Sequence, residues 1–112
     1  MLSQERIDRM FHALADATRR DIVMRVLRDE SSVSALAAHY AMSFAAVQKH
    51  VAVLERADFV IKQRRGREQI VRANIAAVHR ASRVLDHFES LWQHRMHRFG
   101  EVLAEQNTGE SQ

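Results

Sequence analysis

The chain has 112 residues, 46% of them hydrophobic and 28% charged, with no Cys and a formal net charge of +3. That length fits one small domain whose core is modest for a monomer, so that assembly into an oligomer would help its stability. The absence of Cys excludes a disulfide framework and a thiolate metal site. No apolar run approaches the ~18 residues of a membrane span, and the charged, amphipathic start MLSQERIDRM does not read as a signal peptide; a cytoplasmic protein with no membrane partner is expected.

The first helix is expected to be capped by Ser3 and to carry Ile7, Met10, Phe11 and Leu14 at i, i+3, i+4, i+7. Asp16 interrupts and can cap a second helix, Ala17 to about Asp29, with Ile22, Val23, Val26 and Leu27 as its core positions. Arg19 and Arg20 fall in that helix's first turn, where the helix dipole disfavours cations. A salt bridge is the simpler explanation for them and a phosphate contact the other. The polar connector 29–32 leads to Val33, read as a short strand, and to Ser34 as the cap of a third helix.

Between Ser34 and Asp58 the pattern is two helices separated by a very short turn. Leu36, Ala37 and Tyr40 share a face of the first, and Ala41-Met42 breaks the pattern. Ser43 is a good N-cap for the second, whose inner stripe is Val47, Val51 and Leu54 at i, i+4, i+7. The opposite face carries Ala45, Gln48, Lys49 and Ala52, with no acid before Glu55. Small, amide and ammonium groups on a helix held by one apolar stripe suit a DNA major groove, where base edges accept and donate hydrogen bonds. The same face would also serve as an ordinary polar helix surface.

The next stretch reads as two strands, Val60 to Arg64 and Glu68 to Ala73, around Arg65-Gly66, with Gly66 supplying the positive φ of a tight hairpin. Six Lys or Arg against two acids lie between Arg56 and Arg72. Cations on an edge strand can serve only to block sheet aggregation. An arginine-tipped hairpin directly after a two-helix unit is nevertheless the layout of a winged helix-turn-helix, whose wing tracks phosphates or enters the minor groove. The candidate DNA-binding residues are then Ser43, Phe44, Ala45, Gln48, Lys49 and His50 on the helix, and Lys62, Arg64, Arg65 and Arg67 on the wing.

The last third is helical. Asn74 can cap a short turn at Ile75 to Val78, before a long helix to about Glu105. Its apolar set, Val84, Leu85, Phe88, Leu91, Trp92, Met96, Phe99, Val102 and Leu103, is too long for one small domain to cover. The steps 85, 88, 92, 99 and 102 approximate a heptad seam. A dimer interface is expected from Ile7, Met10 and Phe11 of the first helix with Leu85, Phe88, Trp92, Phe99 and Leu103 of the last; folding back onto the chain's own core is the alternative. The polar tail 107–112 is expected to be disordered.

Three stretches, ALADATRRDIVMRVL, VSALAAHYAMSFAAVQKHVAVLERADFV and RRGREQIVRANI, together resemble the bacterial ArsR/SmtB-type regulators, from about Leu14 to Leu103. The resemblance implies a homodimeric winged-helix repressor on an inverted-repeat operator. The segment FESLWQHRMHRFGEVL is similar to a branch with no known metal site, often found beside genes for small START-like proteins. The chain departs from the family pattern at four places. Ala17 stands where Pro is usual, Phe44-Ala45 where a polar residue and Pro are common, Gln48 where Ser is common, and Asp58 where Gly is usual. Phe44 either packs inward or meets a thymine methyl, and Asp58 tolerates a left-handed backbone better than most residues. These changes leave the fold intact but prevent transfer of a family operator.

Seven histidines raise the question of a metal. His94 and His97 are i, i+3 on the last helix, with His87 before them. The helix-borne site of the metal-sensing relatives resembles an Asp-x-His pair followed by His-x-x-Glu or His-x-x-His. Counting back from His94 places Ala81 and Arg83 at the first pair, so that pattern is absent, and the third-helix stretch VSALAAHYA lacks the Cys of the other site. No metal and no cofactor is expected. His50 is read as a phosphate contact or a helix-packing hydrogen bond. There is no Gly-rich phosphate loop and no nucleophile constellation, so no enzyme is expected.

The fold class expected is mainly α with a small β-hairpin wing: a dimeric winged helix-turn-helix with a long C-terminal helix, as one domain over residues 1–106. The function expected is a DNA-binding transcriptional regulator, a repressor, with double-stranded operator DNA and a second copy of the chain as partners. A winged-helix protein-docking module without DNA binding is the alternative.

Overall fold

The computed structural model describes residues 3–110. In chain order the elements are α1 (Gln4–Leu14), α2 (Ala17–Arg28), β1 (Ser31–Ser32), α3 (Val33–Ala37), α4 (Phe44–Arg56), β2 (Val60–Arg65), β3 (Glu68–Ala73) and α5 (Ile75–Glu110). They fall into two compact units, Met1–His79 and Arg80–Gln112. Among the described residues no helix is long and apolar enough to cross a membrane.

In the first unit each short helix is started by a side-chain oxygen that accepts from an otherwise free backbone N–H. Ser3 accepts from Arg6, Asp16 from Arg19, Ser32 from Ala35 and Ser43 from Ala46, at 3.0–3.2 Å. The cap of α3 is therefore Ser32, not the expected Ser34, and the strand lies at Ser31–Ser32 rather than at Val33. Ser32 is extended, at φ −70° and ψ 156°, so one residue both ends the strand and caps the helix. Val33 then becomes the first helical residue and drops its side chain into the core. α3 ends at Ala37, so Tyr40 lies in the following turn rather than on a helix face.

The core gathers Ile22, Leu36, Val47, Val51, Leu54, Phe59, Val60 and Val71, all fully buried. Leu27, expected inside, is 41% exposed; the stripe on α2 is the narrower set Ile22, Val23 and Val26. Phe59 is the largest of the buried side chains and owes its place to how α4 stops. Asp58 takes φ 66°, its N–H donates to the Glu55 carbonyl, and the Phe59 N–H donates to the Leu54 carbonyl at 2.9 Å. That paired arrangement is a Schellman motif, with apolar contact between the residue after the left-handed position and the last turn of the helix. It turns Phe59 inward and starts β2 one residue later.

The sheet is antiparallel with strand order β1-β3-β2. β2 and β3 pair from Val60↔Ala73 to Arg65↔Glu68, leaving Gly66-Arg67 as a two-residue loop. Gly66 has φ 65°, the positive φ that matches a hairpin turn to the twist of its strands. β1 flanks β3 on its other side, Ser31↔Val71 and Ser32↔Ile70, so β3 is central and both Ile70 and Val71 are buried.

The expected separate turn at Ile75 to Val78 is the first turn of α5, where the Asn74 carbonyl accepts from Ala77 and Val78 at 3.1 and 3.2 Å. α5 continues past the expected stop near Glu105 to Glu110. The tail expected over 107–112 overlaps this last turn, and its final two residues lie outside the described residues.

Candidate nucleic-acid interface

α4 is a 13-residue helix fixed by Val47, Val51 and Leu54, each fully buried. Its period then leaves Ala45, Gln48 and Lys49 exposed together. Gln48 and Lys49 have no hydrogen-bond or ion-pair partner among the described residues. Phe44, first in the helix, is 46% exposed, so it does not pack inward.

His50 lies on the flank of α4, with its side chain 21% exposed. Its Nδ1 is 3.3 Å from Arg19 Nη1 and 4.0 Å from Asp16 Oδ1. Arg19 also donates from Nε to the Ala13 carbonyl at 2.8 Å and from Nη2 to the His12 carbonyl at 2.9 Å, and Arg20 donates to the Leu14 carbonyl at 2.7 Å. The two arginines that sit unfavourably at the start of α2 thus donate to the last carbonyls of α1, where a cation is favoured. The expected salt bridge is replaced by this carbonyl clamp. Asp16 closes the group; the Arg19 backbone N–H, with His50 and the Arg19 charge behind it, holds its carboxyl below the usual range.

The wing carries its cations unequally. Lys62 pairs with Glu55 at the end of α4 at 3.5 Å, and Arg65 pairs with Glu30, just before β1, at 2.8 Å. Arg64 folds back to donate to the Gly66 carbonyl at 3.3 Å. Arg67 is exposed and has no partner among the described residues. The hydrogen bond from Arg65 holds the Glu30 carboxyl below its usual range, and Glu30 in turn raises the Arg65 guanidinium. Of the arginines expected at the wing tip, Arg65 is thus already ion-paired with Glu30.

One cluster was not legible in the sequence. The Tyr40 hydroxyl donates to Asp21 Oδ2 at 2.6 Å, and Arg25 Nε donates to the same oxygen at 2.8 Å. The Arg25 guanidinium also stands 5.9 Å from the Tyr40 ring centroid, within cation–π range. Burial, then the Asp21 hydrogen bond, pushes the Tyr40 hydroxyl up to about 12. The Tyr40 and Arg25 bonds hold Asp21 down. The turn between α3 and α4 is thereby tied to α2. The i, i+4 spacing of Asp21 and Arg25 was the available signal; nothing local pointed to Tyr40.

Of the side chains expected at a dimer interface, Ile7 is half-buried and Phe11 is exposed on α1, whereas Met10 is only 5% exposed. Met10 thus faces the chain's own interior. On α5, Leu85, Phe88, Trp92, Phe99 and Leu103 are all exposed, with Trp92 and Phe99 at 59%. His97 Nε2 lies 3.1 Å from Glu101 one turn on. Among the described residues no three or more His, Cys, Asp or Glu are grouped to hold a metal ion.

No family model and no curated protein matches the chain. Solved structures do match. An ArsR family transcriptional regulator is 27% identical with a TM-score of 0.76, over 82% of this chain and 95% of that one. An ArsR-like transcriptional regulator from Rhodococcus sp. RHA1 is 28% identical with a TM-score of 0.75, over 88% and 92%. A homodimeric winged helix-turn-helix DNA-binding domain from Mycobacterium bovis, of a possible ArsR-family regulator, shares the fold at 21% identity and a TM-score of 0.61, over 82% of each chain. The helix pair, the wing and the long last helix thus carry the winged helix-turn-helix fold of the ArsR-family transcriptional regulators, to which this chain is similar over most of its length.

Proposed function

We propose that the protein is a cytoplasmic DNA-binding transcriptional regulator that acts as a repressor, binding an inverted-repeat operator as a homodimer. The observation that carries this reading is the outer face of α4. Ala45, Gln48 and Lys49 stand exposed, without side-chain partners among the described residues, on a helix whose other face is locked in the core, with no acid on the helix before Glu55. Gln48 and Lys49 supply the amide and ammonium donors that base edges accept. Ser43, Phe44 and Ala45 bring the start of the helix to the groove, and Lys62, Arg64, Arg65 and Arg67 make the wing the backbone or minor-groove contact. Residues 1–106 act as one functional domain, with α1 and α5 as its dimerisation elements. The two ArsR-type regulators described above, at 27% and 28% identity, and the homodimeric domain from M. bovis support this reading.

Footprinting and anisotropy on the chain's own upstream DNA test it. Binding should weaken steeply as salt rises, because phosphate contacts release counterions. Gln48→Ala should cost about 1–3 kcal/mol on the protected sequence and much less on random duplex. Arg67→Ala should weaken both DNAs alike and lower the salt slope by roughly one. No affinity for any upstream fragment would refute the reading and leave a protein-docking module.

A further inference from the structure

We propose that Arg19 is a positioning residue that fixes His50 as its Nε2–H tautomer, so that α4 presents a neutral donor to a DNA phosphate. This rests on the DNA-binding reading and adds to it a tautomer that can be measured without DNA.

The chemistry follows from one contact. A guanidinium has only N–H donors and no acceptor. Arg19 Nη1, 3.3 Å from His50 Nδ1, can therefore bond only to a lone pair on that nitrogen. The neutral ring must then carry its proton on Nε2. Arg19 cannot turn away to release it, because Nε and Nη2 are held by the Ala13 and His12 carbonyls. Its backbone N–H is held as well, by the Asp16 cap.

The far nitrogen is free. His50 Nε2 has no partner among the described residues, and no buried side-chain nitrogen or oxygen is left without one. Nε2 therefore reaches solvent from a ring that is 21% exposed. Its place on the helix decides what it meets. Gln48 and Lys49 lie on the face directed away from the core, while His50 lies on the flank, beside the start of α2. A helix in the major groove, a groove about 12 Å wide, turns its outer face to base edges and its flanks to the phosphate walls. The donor on the flank meets a phosphate, and a neutral donor releases no counterion.

Asp16 supplies the competing arrangement. Its Oδ1 is 4.0 Å from Nδ1, and a proton on Nδ1 would bond there at the expense of the Arg19 contact. Nitrogen-resolved NMR of the imidazoles in the full chain distinguishes the two. The expected result is an unprotonated Nδ1 and a protonated Nε2 in neutral His50, with exchange of the Nε2 proton slowed when duplex from the upstream region is added. Arg19→Ala should mix the tautomers. Because that variant also removes the clamp on α1, a second pair is needed. His50→Asn keeps an acceptor near Nδ1 but loses the outer donor, and His50→Gln keeps a donor near Nε2. His50→Asn should weaken binding by about tenfold to a hundredfold, the worth of one hydrogen bond from a neutral donor to a charged acceptor, with the salt slope unchanged. His50→Gln should retain most of the affinity.

A proton on Nδ1 in the free, neutral ring would overturn the proposal by making Asp16 the partner. So would an Nε2 proton indifferent to a duplex that the unaltered protein binds. Failure of the unaltered protein to bind any duplex would overturn the DNA-binding reading and the phosphate contact together, and would be recognised by a tautomer that still follows Arg19.

Discussion

Arg65, at the tip of the wing, donates to the carboxylate of Glu30, 35 residues earlier, at 2.8 Å. Both groups are exposed, so the pair is weak and screened by salt. Its consequence is for binding: a phosphate that takes Arg65 must displace an anion already there. Glu30→Gln should raise affinity for duplex of any sequence by about threefold and steepen the dependence of log K on log salt by roughly 0.9 for the contact released. Anisotropy titrations over a salt series measure both. A variant that binds less tightly than the unaltered protein would show that Glu30 holds the wing in its binding form instead.

Tyr40 and Asp21 give the fold a dependence on alkaline pH. The folded state raises the Tyr40 hydroxyl from 10.0 to about 12, so it keeps its proton where the unfolded chain has lost it. This contribution is fully present below pH 10.0 and is lost as pH rises through about 12. Asp21 works in the opposite sense. Its carboxyl is lowered from 3.8, so its contribution is present above that value and is lost as pH falls through the lowered one. Tyr40→Phe should cost about 1–2 kcal/mol near neutral pH, since it removes one hydrogen bond to a charged acceptor that keeps Arg25. Denaturant melts at several pH values should show the unaltered protein losing its advantage over this variant between pH 10.0 and about 12.

At Asp58 the backbone is left-handed, φ 66°, and the side chain reaches Arg6 at 3.5 Å. Glycine adopts this conformation freely but costs more entropy on folding, whereas a β-branched residue is strained there. Asp58→Gly is therefore expected to lie within about 0.5 kcal/mol of the unaltered protein, and Asp58→Val to lose about 1–2 kcal/mol. Thermal and urea unfolding check this; a Val variant as stable as the Gly variant would mean that the Schellman turn can rearrange.

What the sequence made legible is what short-range chemistry determines. Ser43, Val47, Val51 and Leu54 follow from one cap and one helical period, and Gly66 and Asp58 from the need for positive φ. For α3 the expected cap is Ser34, but the serine hydroxyl at 32 caps by the same chemistry. The choice fell to the pairing of Ser31 and Ser32 with Val71 and Ile70, a partnership made across the fold. The same holds for charge. Arg19, Arg65 and Tyr40 were visible as residues, but their partners are separated from them by 31, 35 and 19 positions. No periodicity encodes such contacts. Met10 shows the limit for apolar stripes: it shares a helical face with Ile7 and Phe11, yet only packing decides which member turns inward.

Trp92 and Met10 separate assembly from folding. Trp92 is 59% exposed on α5 and Met10 5% exposed on α1, although both were expected in one seam. A charge at Trp92 costs the isolated protomer little, because the position already meets water. In a dimer paired through α5 the same charge is enclosed without a partner, and an unpaired buried charge is strongly destabilising. Trp92→Glu and Phe88→Glu should therefore keep the helical circular dichroism of the unaltered protein while sedimenting at about half its mass, and they should lose operator affinity because two half-sites are no longer engaged together. Met10→Glu should instead lose structure at any protein concentration, since its charge enters the core. Sedimentation velocity and circular dichroism on the same samples read both effects. An assembly unchanged in both α5 variants would remove this face from the dimer, and a Met10 variant that stays folded but becomes monomeric would return Met10 to it.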